Sequence, residues 1–438
     1  MQKFLLSLFV ISSSYALTLS QAPQENTLVI YNDNLALVHE SRQATLTPKE
    51  TTLIYSNVAN SIITDSVHIS LPKDTQLFTQ HYRYDKITKQ KLFQAYLNKD
   101  VIYKKHSYTL LAYQSNESIL KSKNNTLINV ATKDIVLPSL PKEFITTPSL
   151  VWKIQTKKKV TTTLSLNYLI QKIDWKSNYT LDIIHNKAAL TGWITINNNS
   201  GKTFRHTQLS LLAGDINRAI KTPRHAISYL KASYDTPVQN VTTKAYEGYH
   251  LYTIPFRVTL LDKEKTQIKF FTQQTPIQRV YKANLNNPLY FQGEIQTDVK
   301  QYIQLPKLTR ALPKGTVRIY ATTDKTKILL GETTLKHTPK NTPIELKIGT
   351  NFDMKVIQTL ISKEKKKKVT FVDIHYKVIN NSNTKKRVTL LIPFSRNKGS
   401  HITTNKDFIF TKGNLATFTL EVNPNTSSNF DVHFQIKK

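Results

Sequence analysis

The chain has 438 residues, 61 Lys and Arg against 29 Asp and Glu, a formal net charge of +32, and no cysteine. Without cysteine, neither a disulfide-stapled extracellular fold nor a lipid-modified cysteine behind a leader is available, so the fold has to rest on a buried core. A chain of this length can bury such a core in two or three domains.

Residues 1–16, MQKFLLSLFVISSSYA, read as an export leader. Lys3 gives the positive start, Phe4 to Ile11 the apolar run, and Ser14-Tyr15-Ala16 places small residues where a signal peptidase looks. Cleavage is expected after Ala16; Ser20-Gln21-Ala22 offers a second cut farther from the apolar run. The apolar run is far short of the ~20 residues that cross a bilayer. No later segment reaches that length either, so a periplasmic or extracellular protein with no transmembrane segment after leader removal is expected.

From Leu28 onward the pattern is one of short strands. Leu28 to Tyr31 and Leu35 to Arg42 flank the turn residues Asn32-Asp33-Asn34, and Thr161 to Ile170, Tyr179 to Ile184 and Ala189 to Asn197 continue the series. Alternation is cleanest late in the chain. Val372, Ile374, Tyr376 and Val378 share one face of a strand, and Val388, Leu390, Ile392 and Phe394 repeat the device. No window carries a helical apolar stripe, and β-branched and aromatic residues dominate the apolar set. The fold class read from this is all-β, with two or three β-sandwich (immunoglobulin-like) domains and little helix. A transmembrane barrel is disfavoured, because lysines interrupt the strands and the chain ends Gln435-Ile436-Lys437-Lys438 without an aromatic residue.

Pro138 and Pro141 suggest one boundary and Pro306 to Pro313 a second. The expected organisation is a leader (1–16), an N-terminal β domain (17–140), a central β domain (141–304) and a C-terminal β-sandwich (305–438). The basic stretch 221–246, with Pro223 and Pro237, reads as a mobile loop within the central domain. No internal repeat of fixed period is visible.

Five blocks carry a family resemblance: LPSLPKEFITTPSLVW (Leu137 to Trp152), LNYLIQKIDWKSNYTL (Leu166 to Leu181), LTGWITINNNSGKTFRHTQLSLLAGDINR (Leu190 to Arg218), LPKGTVRIY (Leu312 to Tyr320) and LKHTPKNTPIELKIGTNFDM (Leu335 to Met354). Together with YNDNLALVHE (Tyr31 to Glu40), they resemble the bacterial domain of unknown function 4139 family, distantly related to the mucoidy inhibitor proteins. The resemblance implies an exported or envelope-associated, mainly β protein of unassigned activity, and brings no catalytic residues with it. The helical coiled-coil insertion common among those relatives has no heptad counterpart here.

Within the blocks, Trp175 and Trp193 are expected in the core beside Tyr179, Leu181, Ile194 and Ile196, although a Trp can also stack on a sugar. Gly201, in Asn199-Ser200-Gly201, is expected to adopt a backbone conformation closed to other residues, and Asp215 to end a strand. No catalytic constellation is present. The 12 histidines are dispersed, there is no Gly-x-Ser-x-Gly elbow or phosphate-cradling loop, and a nucleophilic cysteine is excluded. No metal or other cofactor is expected. Asp174, Asp182, Asp215, Glu247 and Asp262 are the carboxylates that distant strands would have to bring together in a polysaccharide-acting hydrolase, the alternative function.

Charge supplies the preferred function class. Residues 301 to 438 hold 25 Lys and Arg against 9 Asp and Glu, half of the whole excess. A non-enzymatic module contacting an anionic envelope glycan, a lipid surface or a protein partner is expected, with no specific nucleic acid. A Lys- and Asn-rich composition alone produces the same excess. The candidate anion contacts are Lys363, Lys365, Lys366, Lys367 and Lys368, read as the connection between a strand ending near Ile361 and one starting at Val369, and Lys385, Lys386 and Arg387 beyond the next turn. A strand of about 11 residues would hold the two clusters ~35 Å apart.

Overall fold

A computed structural model describes residues 15–19, 21–48, 50–141, 143–214, 242–246, 249–322, 326–411 and 413–437. It is 66 % strand and 3 % helix, which makes the chain all-β. In chain order the strands are β1 (Tyr15–Leu19), β2 (Glu25–Tyr31), β3 (Leu35–Leu46), β4 (Glu50–Ser56), β5 (His68–Ser70), β6 (Thr75–Arg83), β7 (Asp100–Tyr103), β8 (His106–Tyr113), β9 (Glu117–Lys121), β10 (Leu127–Ala131), β11 (Ser149–Thr156), β12 (Val160–Gln171), β13 (Ile173–Ile184), β14 (Lys187–Asn198) and β15 (Phe204–Ala213). There follow β16 (Thr242–Tyr246), β17 (Tyr249–Thr253), β18 (Val258–Leu260), β19 (Glu264–Pro276), β20 (Gln278–Asn284), β21 (Glu294–Leu305), β22 (Gly315–Thr322), β23 (Lys327–Leu335), β24 (Ile344–Lys366), β25 (Val369–Asn380), β26 (Lys386–Pro393), β27 (His401–Thr404), β28 (Phe408–Thr411), β29 (Leu415–Val422) and β30 (Thr426–Lys437). Among the described residues there is one α-helix, α1 (Lys89–Ala95), which starts where the Thr88 hydroxyl accepts the Lys91 amide, 3.2 Å away.

Two compact units divide these residues, the first drawn from Met1–Asp174, Asn197–Asp215 and Phe256–Lys265, the second from Trp175–Ile196, Ile216–Pro255 and Thr266–Lys438. They do not follow the expected boundaries. At 140 the prolines mark only the exit from a small four-stranded sheet, β10-β9-β8-β7, which with α1 closes its own core around Phe93, Tyr96, Val101, Leu110 and Leu120. The chain then returns as β11 to pair with β4 and β6, so strands from both sides of the expected joint share one sheet. The boundary at 304 falls inside β21, which is already paired with β24. Of the stretch read as a loop at 221–246, the last five residues form β16, hydrogen-bonded to β17; residues 221–241 lie outside the described set.

A topology is repeated in the chain, although no fixed period exists. In the first instance β2 and β3 form an antiparallel pair, β3 pairs with β12, the chain passes Lys172 into β13, and β14 lies between β13 and β19. β15 then pairs parallel with β2 and antiparallel with β18. In the second, β20 pairs with β21, β21 with the first half of β24, and β25 lies between the second half of β24 and β30. β26 pairs parallel with β20 and antiparallel with β29. The corner after the second hairpin is the same down to individual hydrogen bonds. Asn198 Nδ2 donates to the carbonyls of Lys202, Leu260 and Leu261 while Ser200 Oγ donates to Asn198 Oδ1 at 2.7 Å. Asn380 Nδ2 donates to those of Thr384, Val422 and Asn423, and Ser382 Oγ to Asn380 Oδ1, again at 2.7 Å. Insertions of unequal length, β4–β11 in the first instance and β22–β23 in the second, erase any constant spacing.

The last sheet has nine strands, β27-β30-β25-β24-β21-β20-β26-β29-β28. Its edge strands are joined by only Asn405-Lys406-Asp407, so the sheet has to curl until its edges approach. Phe394 lies across the closure, its ring 6.0 Å from Phe410 of β28 and 5.9 Å from Phe434 of β30. Inside lie Val372, Ile374, Tyr376, Val378, Val388, Leu390 and Ile392, all fully buried as the alternation requires, each contributing ~1.5–3 kcal/mol.

Candidate functional site

β24 runs farther than expected. It continues through Lys366 and leaves only Lys367, at φ 53, and Lys368 as the turn into β25. Lys363, Lys365 and Lys366 are therefore strand residues, a correction to their placement on a loop; all five lysines are exposed. Their side chains are spread around the hairpin because alternate strand residues face opposite ways. Lys363 Nζ reaches back to the Leu289 carbonyl at 2.8 Å, while Lys366 pairs with Glu364 at 2.8 Å and lies 5.7 Å over the Phe371 ring.

Register adds two cations that spacing along the chain does not reveal. Val369 pairs with Lys366 on one side and with Lys437 on the other. The Lys437 amide donates to Ser400 Oγ at 2.8 Å, and its carbonyl accepts from Asn397 Nδ2 at 3.2 Å, which brings Lys398 to the same end. Lys363, Lys365, Lys366, Lys367, Lys368, Lys398 and Lys437 thus converge on one end of the sheet, with Glu364 interspersed.

The second cluster is of a different kind. Lys385 forms an ion pair with Glu421, and Arg387 stands opposite that same carboxylate in the β26–β29 register. The hydrogen bond and charge of Lys385 hold the Glu421 carboxyl below its ordinary range. Lys386 is half-buried, its Nζ 3.4 Å from the Tyr281 hydroxyl and 5.2 Å over that ring. Lys385 and Lys386 are thus engaged within the protein, as Lys363 and Lys366 are in the first cluster. β25 separates the two clusters by its 12 residues, about 36 Å at ~3.3 Å per residue.

Among the described residues, two of the carboxylates considered for hydrolysis, Asp182 and Asp262, are held by other groups of the protein. Asp182 lines a cleft of about 450 Å³ with Ile184, His185 and Gln274, but is bound by Lys327 Nζ at 2.8 Å. Asp262 accepts the Gly201 amide at 2.8 Å, and Asp215 and Glu247 lie outside the described residues. Among the described residues no three His, Cys, Asp or Glu side chains gather as a metal site, and no helix is long and apolar enough to cross a membrane. Trp175 is buried against Tyr252, with ring centroids 6.2 Å apart. Trp193 is only half-buried, because it stands one residue out of phase with Ile194 and Ile196 and so faces the other side of β14. Gly201 has φ +78, and a Cβ there would sit 2.3 Å from the Cβ of Asn60, so the expected constraint is real.

A buried charge cluster has no counterpart in the sequence reading. Glu40, Arg42 and Lys202, spread over 163 residues, are all at least 95 % buried. Lys202 Nζ contacts Glu40 Oε1, Arg42 Nη2 lies 3.6 Å from Oε2, and the Tyr55 hydroxyl donates to Oε2 at 3.4 Å. Arg42 Nη1 donates to the Leu19 carbonyl, and its guanidinium stacks 3.8 Å over Tyr55. One carboxylate serves two cations. Burial pulls the Lys202 ammonium below its ordinary range, and Glu40 offsets this only in part.

No family model matches the chain, and no curated protein is similar to it.

Proposed function

We propose that this is an exported, envelope-associated, non-enzymatic β protein whose C-terminal sheet holds an anionic envelope glycan at the end bearing Lys365–Lys368. The observation that carries the reading is the convergence of Lys437 and Lys398 on the five lysines of the β24–β25 hairpin. With a Debye length of ~8 Å at physiological salt, exposed charges act together only with near neighbours, such as Lys366 and Lys437 on either side of Val369. The second cluster is smaller, three cations of which Lys385 is paired with Glu421 and Lys386 half-buried against Tyr281. The leader-like residues 1–16 and the resemblance to the domain of unknown function 4139 family support export to the envelope. Replacing Lys365, Lys366, Lys367 and Lys368 with Gln tests the reading on a dextran sulfate column. Elution should move to lower salt, and the slope of log affinity against log salt should flatten by roughly one unit for each lysine that touches the polymer. Unchanged retention in a variant with an unchanged circular dichroism spectrum refutes it.

A further inference from the structure

The lysine-bearing end is continuous with an outward face to which three strands contribute histidines, two of them beside carboxylates. Outward residues of β25 and β30 meet as direct cross-strand pairs: His375 Nδ1 lies 2.6 Å from Asp431 Oδ1, and His433 Nδ1 lies 2.6 Å from Asp373 Oδ1. Ser362 of β24 donates to the other oxygen of Asp373, and Thr403 of β27 stands opposite His433. The next row toward the lysines holds Glu364, Phe371, Gln435 and His401, and the row after it Lys366, Val369 and Lys437. Rows two residues apart are ~6.6 Å apart, so the lysine row lies within a Debye length of His401 and Glu364 and about two row spacings from His433 and Asp373.

The charged groups on this face come from every strand that forms it. β21 supplies Glu294, bonded by Thr359 of β24; β24 supplies Glu364 and Lys366; β25 supplies Asp373 and Lys377; β30 supplies Asp431 and Lys437. Farther along, Lys355 stands opposite Asp298. With neutral imidazoles, four carboxylates stand against three lysines on these strands, so the histidine rows add no attraction for a polyanion to that of the hairpin lysines. With His375, His401 and His433 protonated, the same face carries a net charge of +2, and the attractive surface extends from the hairpin end along β25 and β30. Histidine is the side chain whose charge changes between pH 5 and 8. The side chains of His375 and His433 are 38 % and 40 % exposed, so protons reach them without unfolding.

We propose that this histidine–carboxylate face makes the grip of the C-terminal sheet on an anionic polysaccharide acid-responsive, tighter at acidic than at neutral pH. The inference rests on the glycan-binding reading above and adds its regulation. A polysaccharide is favoured over a bilayer because polar and charged side chains predominate on the face and the Phe371 ring is stacked against His433 at 5.9 Å.

The test measures binding of fluorescein-labelled dextran sulfate at pH 7.5 and pH 5.5 to the wild type, to a His375→Gln/His401→Gln/His433→Gln variant and to the four-lysine variant. The wild type should bind more tightly at pH 5.5, with a salt slope steeper by roughly two to three units, about one per added charge. The histidine variant should lose most of that increase. Retention of the full increase overturns the proposal, as does an increase confined to phosphatidylglycerol vesicles with none on the polysaccharide. The four-lysine variant separates the two readings. If it binds as the wild type does at pH 7.5, the hairpin reading fails, whereas the histidine proposal stands or falls on the acid-induced increase alone.

Discussion

The buried cluster of Glu40, Arg42 and Lys202 predicts a sharp asymmetry between two substitutions. Counted as formal charges it is +1, with one carboxylate shared between two cations. Glu40→Gln leaves both cations without a counterion in a site where Arg42 Nε already lacks a partner among the described residues. Removing one partner of a buried pair costs ~3–5 kcal/mol, which for a unit of roughly 200 residues lowers the melting temperature by roughly 6–20 °C. Lys202→Met takes away the excess charge, keeps the volume and leaves Glu40 to Arg42, so its cost should stay under ~1.5 kcal/mol. Scanning calorimetry of the two variants at pH 7.5 measures the difference directly. The pH dependence adds a second test. Because the ammonium of folded Lys202 titrates below 10.5, its value in the unfolded chain, the unfolded state binds the extra proton throughout the interval between the two. Stability of the wild type should therefore gain from this group as pH rises toward 10.5, and Lys202→Met should lack that gain. Equal destabilisation by the two substitutions refutes the excess-charge argument.

Processing of the leader after Ala16 should trim only the first two residues of β1 and keep Leu17 to Leu19. Leu19 is 2 % exposed, pairs with Tyr55 and offers its carbonyl to Arg42, so cleavage after Ala22 would remove a core residue and the acceptor of a buried guanidinium, at a cost of at least ~3 kcal/mol. N-terminal sequencing of the exported protein should read Leu17 first; a chain beginning at Pro23 that melts like the full fold contradicts this. The repeated corner predicts parallel behaviour in the two topological copies: Asn198→Ala and Asn380→Ala each orphan three carbonyls and should each cost roughly 3 kcal/mol or more by chemical denaturation. A loss below 1 kcal/mol in either would show that water replaces the amide there.

The all-β class was legible because burial on one face imposes a period of two, and Val372 to Val378 and Val388 to Phe394 follow it without interruption. The constraint at Gly201 was legible for a local reason, a turn that demands positive φ. Domain boundaries were misread because a proline reports a local break in pairing and says nothing about where the chain goes next. After Pro141 it returns to the sheet it had left. The repeat was hidden for a related reason, since pairing order and the hydrogen bonds of Asn198 and Asn380 survive insertions that abolish any period. Composition determined that the C-terminal region is strongly basic, and the chain placed five lysines within six residues. Only strand register decided that Lys437 and Lys398 join them, that Glu421 occupies Lys385, and that two histidines 58 residues apart lie on one face beside Asp373 and Asp431. Sequence fixes which way a side chain points along its own strand, but which neighbour it meets depends on pairings between segments far apart in the chain, and those exist only in the folded protein.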